Sequence, residues 1–386
     1  MNSKWIFLGI AALGGVILLS RKAEAKPTPS IYPSIYFGVY TGTGSGIPLP
    51  GVELEQFEYD AGKKASIVGY VAWWYDKFAW GDFDTLHKEW TNTTRDHGAV
   101  PLILWQPFNP VRLDGTIVLN TDSDYNTHLK KYSLKRIIAG DFDTYIRIWA
   151  QQIKVWDHPI MLRPMHELNA DVTLVDGAYG QSWYASLKDI DGSIINEPID
   201  AINAWRHIVD IFREEGTYNV TWVWSVLTWP SYSYGGSNSV SLSSIYPGDD
   251  YVDWIGVSYY HKDFMPSPEA CNDINIQGIY QEMSSLSSIK PMMIAEMGAK
   301  EDPSNTNTKP EWIRNTLSFD RSQSVPFKYP RIKAIFYWND GRDDLKTWIE
   351  SSIEATNAFK EVIANYHYGT NDYFDLNISP ILPPSG

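Results

Sequence analysis

From residue 35 onward the chain alternates two kinds of hydrophobic pattern. Short runs of aliphatic, β-branched and aromatic residues recur: IYFGVYT (35–41), SIVGYVAWW (66–74), VPLILWQP (100–107), PIMLRPMHE (159–167), VTWVWSV (220–226), VDWIGVSYY (252–260), PMMIAEMG (291–298) and IKAIFYWND (332–340). Apolar positions within each run are continuous, as expected of strands buried on both faces of a parallel sheet. Between the runs the period becomes helical. GDFDTYIRIWAQQIKVW (140–156) puts Phe142, Tyr145, Ile146, Trp149, Ile153 and Trp156 on one face, with acids in its first turn. EPIDAINAWRHIVDIFREEG (197–216) starts at Pro198 and stops at Gly216, with Ile202, Trp205, Ile208, Val209 and Phe212 as its apolar stripe. DFDTLHKEWTNTTRDHG (82–98) and TWIESSIEATNAFKEVIANY (347–366) predict further helices.

Eight strand-then-helix units predict an α/β fold, a closed (β/α)8 TIM barrel forming a single domain over residues 35–368. No glycine-rich phosphate loop follows the first strand, which argues against dinucleotide binding. Residues 369–386, GTNDYFDLNISPILPPSG, lack periodicity and predict a loosely ordered C-terminal tail. At the other end, WIFLGIAALGGVILL (5–19) is shorter than the ~20 apolar residues of a usual membrane span. Lys4 precedes it and AEA (23–25) offers a cleavage site, whereas Arg21, Lys22 and Lys26 follow it on the side where an exported chain should not be positive. Residues 1–25 therefore read as a signal peptide or an N-terminal membrane anchor, and 26–34 as a proline-rich linker; the protein is expected to be secreted or tethered facing outward.

Composition narrows the partners. A formal charge of −14 with no basic run argues against nucleic acid or an anionic membrane surface. Cys271 is the one cysteine, so no intramolecular disulfide can form. The eight histidines show no ligand spacing, and DIDGSIINE (189–197) resembles a calcium loop only with its glycine misplaced; no metal and no cofactor is expected. The 17 Trp and 24 Tyr serve either a large core or flat platforms for sugar rings.

In a (β/α)8 barrel the chemistry sits at the C-terminal ends of the strands. Several runs end in polar or aromatic residues there, and long irregular stretches (108–139, 168–197, 227–250) follow the third, fourth and fifth. RPMHELN (163–169) carries Arg163, His166 and Glu167 to the end of the fourth strand. It is not HExxH of a zinc protease, because Ala170 occupies the second histidine position. Glu296 ends the seventh strand, across the mouth from Glu167. Cleavage of a glycosidic bond with retention needs two carboxyl groups about 5–5.5 Å apart, one acid and one nucleophile. The other reading is that Glu167 is merely salt-bridged to Arg163.

RPMHELN, AWRHIVDIFREEGTYNVTWVWS, YPGDDYVDWIGVS and IAEMG together resemble glycoside hydrolase family 26, known best for endo-β-1,4-mannanases, in the right order from about residue 36 to residue 340. The resemblance implies a (β/α)8 barrel and a retaining double displacement, with Glu167 as acid/base and Glu296 as nucleophile. It implies that Arg163 and His166 hold sugar and carboxylates, that Tyr260, with Tyr259 as rival, touches the nucleophile, and that Trp338 is a sugar platform. Trp105 and Trp224, near strand ends, are further candidate platforms; Trp149, Trp156 and Trp205 read as core. Trp73 and Trp74 must point to opposite faces of their strand, so at most one enters the mouth. ELNADVTLVDGAYGQSWY departs from the family pattern, with Val172 and Leu174 where aromatics often stand. The expected function is a monomeric endo-β-1,4-mannanase acting on a β-mannan or related polysaccharide. The alternatives are a mixed-linkage β-1,3-1,4-glucanase or β-1,3-xylanase of the same family, and a non-catalytic carbohydrate-binding barrel.

Overall fold

The computed structural model describes residues 34–42, 52–74, 82–109, 116, 122–173, 181–228, 240–261, 274–302, 304–341 and 347–384. The N-terminal apolar stretch, most of the linker, Leu174 and Cys271 lie outside them. Among the described residues no helix is long and apolar enough to cross a membrane.

The strands, in chain order, are β1 (Tyr36–Tyr40), β2 (Ile67–Trp73), β3 (Val100–Gln106), β4 (Ile160–Pro164), β5 (Asp171–Thr173), β6 (Ser186–Lys188), β7 (Val220–Leu227), β8 (Trp254–His261), β9 (Met292–Ala299) and β10 (Ile332–Trp338). Eight of them close a barrel in the order β1-β10-β9-β8-β7-β4-β3-β2, and every neighbouring pair is parallel. Each of the eight apolar runs supplies one barrel strand. The short strands β5 and β6 form a parallel pair of their own after β4. With three residues each, they are too short for periodicity to announce.

Both faces of the barrel wall are buried, which is why the runs are continuous. Inward lie Ile67, Val100, Leu102, Leu104, Met161, Val223, Met293, Ala334 and Phe336. Phe336 fills the centre because Gly38 and Gly69 leave it room: a Cβ at either would come within 2.5 and 2.4 Å of its ring. Outward, residues such as Trp74, Trp105, Ile160, Leu162, Trp224 and Tyr259 meet the helices.

Helix Asp143–Trp156 buries Tyr145, Ile146, Trp149, Ala150, Ile153 and Trp156 and ends at Asp157, whose φ of 55° closes the turn. Helix Pro198–Glu214 has proline in its first turn and a reciprocal capping box between Glu197 and Asp200. Two stretches expected as single helices are divided. Residues 83–87 form a π turn capped by Asp82 before helix Lys88–Asp96. Residues 349–351 form a 3₁₀ turn before helix Ile353–Ile363, because the Ser352 hydroxyl caps the second helix by accepting from Ala355 N.

The expectation of a loose tail is corrected. Residues 369–384 close the N-terminal end of the barrel, and Ile381 is 2% exposed there within the inner cluster. Trp254 Nε1 donates to the Ile381 carbonyl at 2.8 Å, Ile381 N to Thr221 Oγ1 at 2.7 Å, and the Tyr36 hydroxyl to the Leu382 carbonyl at 2.8 Å. The inward groups of the barrel floor need partners, and a segment without periodicity can supply them one residue at a time.

Candidate active site at the C-terminal mouth of the barrel

Arg163 points inward from β4 and is fully buried. Its Nε donates to Ser225 Oγ on β7 at 2.7 Å, its Nη2 to Ser258 Oγ on β8 at 3.0 Å, and its Nη1 to Glu296 Oε1 on β9 at 2.5 Å. Arg163 thus ties four consecutive barrel strands together from inside.

Glu296 reaches this interior through a β-bulge. Met293 and Ala295 face inward while Ile294 faces the helices, so strict alternation would turn Glu296 outward. The register slips instead: Val257 pairs with Ile294, but Ser258 pairs with Glu296, and the β10 side slips between Ile335 and Tyr337. The extra residue re-aims the carboxylate into the barrel. Its second oxygen, Oε2, accepts from the Tyr260 hydroxyl at 2.7 Å. Burial pushes the Glu296 pKa up, but Arg163, His166 and the bonds from Tyr260 and Arg163 outweigh it, leaving the carboxyl below its usual range. Burial, then the Glu296 charge, drives the Tyr260 phenol well above its usual range, so it remains a donor.

Past β4 the chain makes a tight turn in which Met165 and Glu167 have φ of 49° and 59°, left-handed conformations uncommon for side-chain-bearing residues. The turn is held from several sides. Trp183 Nε1 donates to the His166 carbonyl at 2.7 Å, Met165 N to the Trp105 carbonyl at 3.3 Å, and Asn169 exchanges bonds of 2.9 and 2.7 Å with the Leu227 backbone. Glu167 is partly exposed, and its charge acts on the Tyr260 hydroxyl. Burial, partly offset by Glu296 and reinforced by Arg163, lowers the His166 pKa to about 4. His166 is therefore neutral near pH 7, where Arg163 is the cation that holds Glu296 down.

Of the residues expected in the site, Arg163, His166, Tyr260 and Glu296 come together, and Glu167 acts on the same hydroxyl. Tyr259 is excluded: it is 1% exposed on the outer face and stacks on Trp312. Trp338 sits inside the mouth, stacked on Tyr40 with ring centroids 3.9 Å apart, its Nε1 donating to Asp340 Oδ2 at 3.2 Å. Trp73 is half-buried and donates to Gln106, while Trp74 is buried among the helices.

Two expected sugar platforms are corrected. Trp105 and Trp224 are both fully buried on the outer face of their strands. Trp105 packs against Trp74, Tyr145 and Trp149, and Trp224 against Tyr246. Each lies one position out of phase with the inward residues of its own strand, Leu104 and Val223. Trp183, Asn169, Ser225 and Ser258 stand in no motif that marks them as part of a site; for the two serines the inward parity of their strands is the signal the sequence carries. Among the described residues no three His, Cys, Asp or Glu side chains gather as a metal site.

Residues 82–319, more than half of the chain, match the family model for glycosyl hydrolase family 26. The chain belongs to that family. It is 28% identical over 314 residues to Endoglucanase H of Acetivibrio thermocellus, covering 80% of this chain and 29% of that protein. It is 29% identical over 185 residues to Mannan endo-1,4-beta-mannosidase A and B of Caldalkalibacillus mannanilyticus, covering 47% of this chain and 28% of that protein. The family 26 chain thus spans less than a third of the length of these curated relatives. Its fold is that of a family 26 beta-mannanase from Bacteroides ovatus, with a TM-score of 0.57 at 18% identity, covering 90% of this chain and 93% of that one.

Proposed function

We propose that this chain is a retaining, endo-acting glycoside hydrolase that cleaves β-1,4-mannosidic bonds in mannan, with Glu296 as nucleophile and Glu167 as acid/base. One observation carries the reading: a buried carboxylate in the barrel mouth whose two oxygens are each held by a separate donor, Arg163 and Tyr260. Such a group is ionised and oriented, as an attacking carboxylate must be. In the first step a Glu296 oxygen bonds to the anomeric carbon, the glycosidic C–O bond breaks, and Glu167 gives its proton to the departing oxygen. In the second, water attacks the same carbon and gives a proton to Glu167. As the water oxygen bonds, the ester bond from that carbon to Glu296 breaks and returns its electron pair to Glu296. No cofactor enters this balance. Arg163 and Tyr260 keep Glu296 directed, His166 is a neutral contact for the sugar, and Trp338 is a platform.

The decisive experiment removes each carboxylate. Glu296→Ala should abolish turnover, and added azide should restore it as a glycosyl azide of inverted configuration. Glu167→Ala should spare substrates with good leaving groups and, with azide, yield the retained product. Near-normal polysaccharide hydrolysis by both variants would overturn the assignment of the two glutamates, and no hydrolysis by the parent protein would leave only a carbohydrate-binding barrel.

A second reading, cleavage of mixed-linkage glucan, is favoured by the longer alignment to the endoglucanase, 80% of the chain against 47% for the mannosidase. Sugar release from mannan, lichenan, xylan and laminarin separates the two. We also infer export, secreted or tethered through residues 5–19, since a polysaccharide cannot enter a cell intact. A reporter active only after export, fused behind residues 1–34, should be active.

A further inference from the structure

We propose that Ser225 and Ser258 are positioning residues for the nucleophile: as neutral acceptors they hold the Arg163 guanidinium in place while leaving its whole positive charge to Glu296. The inference rests on the reading of Glu296 as nucleophile. Both serines are fully buried and face inward from β7 and β8, and each hydroxyl accepts from a different guanidinium nitrogen, at 2.7 and 3.0 Å. Nη1, the nitrogen that remains, donates to Glu296 and, at 3.4 Å, to the Ala295 carbonyl at the bulge.

The chemical identity of the acceptors matters as much as their position. A guanidinium buried this deeply needs partners for its donors, and carboxylates would be the strongest. Each further carboxylate would share the charge and compete with Glu296, the carboxylate paired with Arg163. Two hydroxyls fix the plane of the fork without drawing on its charge. They also remain as partners during the covalent intermediate, when Glu296 is an ester and no longer a counter-ion.

The charged and titratable groups acting on Glu296 are Arg163 and His166 from β4 and its following turn and Tyr260 from β8, on whose hydroxyl Glu167 also acts. His166 is already neutral above about pH 4. A loosened Arg163 is therefore felt mainly through Glu296.

The test is the pH profile of kcat/KM on whichever of mannan or lichenan the parent enzyme hydrolyses. Ser225→Ala and Ser258→Ala should each lose roughly ten-fold in kcat, the effect of one buried hydrogen bond, with the acid limb moved up by about half a pH unit or more. Ser258→Asp should move the limb further than Ser258→Ala, because the new carboxylate takes a share of the cation. If an alanine variant does not fold, Ser→Cys replaces it. A thiol fills the space but accepts weakly, so the limb should still rise. An unmoved acid limb in the folded variants, whatever happens to their melting temperature, would mean the serines are only packing and overturns the proposal. Glu296→Ala, assayed alongside with azide, separates this from failure of the underlying reading. If Glu296→Ala stays active, both fall; if it is dead and rescued by azide while the serine variants keep the parent profile, only the serine proposal falls.

Discussion

The Glu296 carboxyl is ionised near neutral pH not because it is exposed but because burial is outweighed by the Arg163 cation and the hydrogen bonds from Arg163 and Tyr260. Tyr260→Phe removes one of its donors, so the Glu296 pKa should rise and activity should be lost at a higher pH as the solution is acidified. We expect a loss of roughly ten-fold or more in kcat near neutrality, growing toward the acid side of the kcat/KM profile. The tryptophans give a contrasting prediction. Trp105→Phe and Trp224→Phe alter residues buried between strand and helix, so each should lower stability by about 1–3 kcal/mol in denaturant titration and leave KM unchanged. Trp338→Ala, in the mouth, should raise KM instead. A rise in KM for the first two variants with no loss of stability would contradict their placement.

Among the elements, the junction between the π turn Phe83–His87 and the helix after it holds an unusual group. The His87 ring is fully buried against Tyr70 and Trp149, and neither of its nitrogens has a hydrogen-bond partner. Burial, only partly offset by Asp82, lowers its pKa to about 3. The unfolded chain takes up this proton near pH 6.5, whereas the folded chain refuses it until about pH 3. Stability contributed by the neutral ring is therefore whole above about pH 6.5 and is lost as the pH falls toward 3. His87→Leu should remove the cost of two unpaired nitrogens, raising stability at pH 7 by roughly 1–2 kcal/mol. It should also flatten the fall in melting temperature between about pH 7 and about pH 4.5, a difference that calorimetry on parent and variant can read.

At the scale of the whole molecule, the barrel is closed from below by its own C-terminal segment. Deleting residues 377–386 would take away Ile381 and the backbone partners of Trp254, Thr221 and Tyr36. One buried isoleucine and three hydrogen bonds predict a loss of roughly 3 kcal/mol or more, seen as a lower denaturant midpoint. Because the site lies at the opposite end of the strands, kcat at a temperature where the variant is still folded should change little. A truncated chain as stable as the parent would show that the segment is dispensable.

The sequence by itself determined the eight strands, their parallel closure, the major helices and the two glutamates toward the mouth, although Glu167 lies in the turn past β4 and Glu296 inside β9 rather than at the strand ends expected. These follow from periods and punctuation, which act over a few neighbouring residues and can be read locally. Tertiary pairing decided which strand-end residues face the mouth. Trp105 and Trp224 looked equivalent to Trp338 along the chain, and only the register against neighbouring strands turns the first two toward the helices. Glu296 is the sharper case: alternation along β9 would point it outward, and the one-residue slip against β8 and β10 turns it in. The tail shows the same limit, since its order comes from partners on the barrel floor more than a hundred residues away in sequence. A strand carries its own hydrophobic pattern, but a bulge or a packed tail exists only between segments.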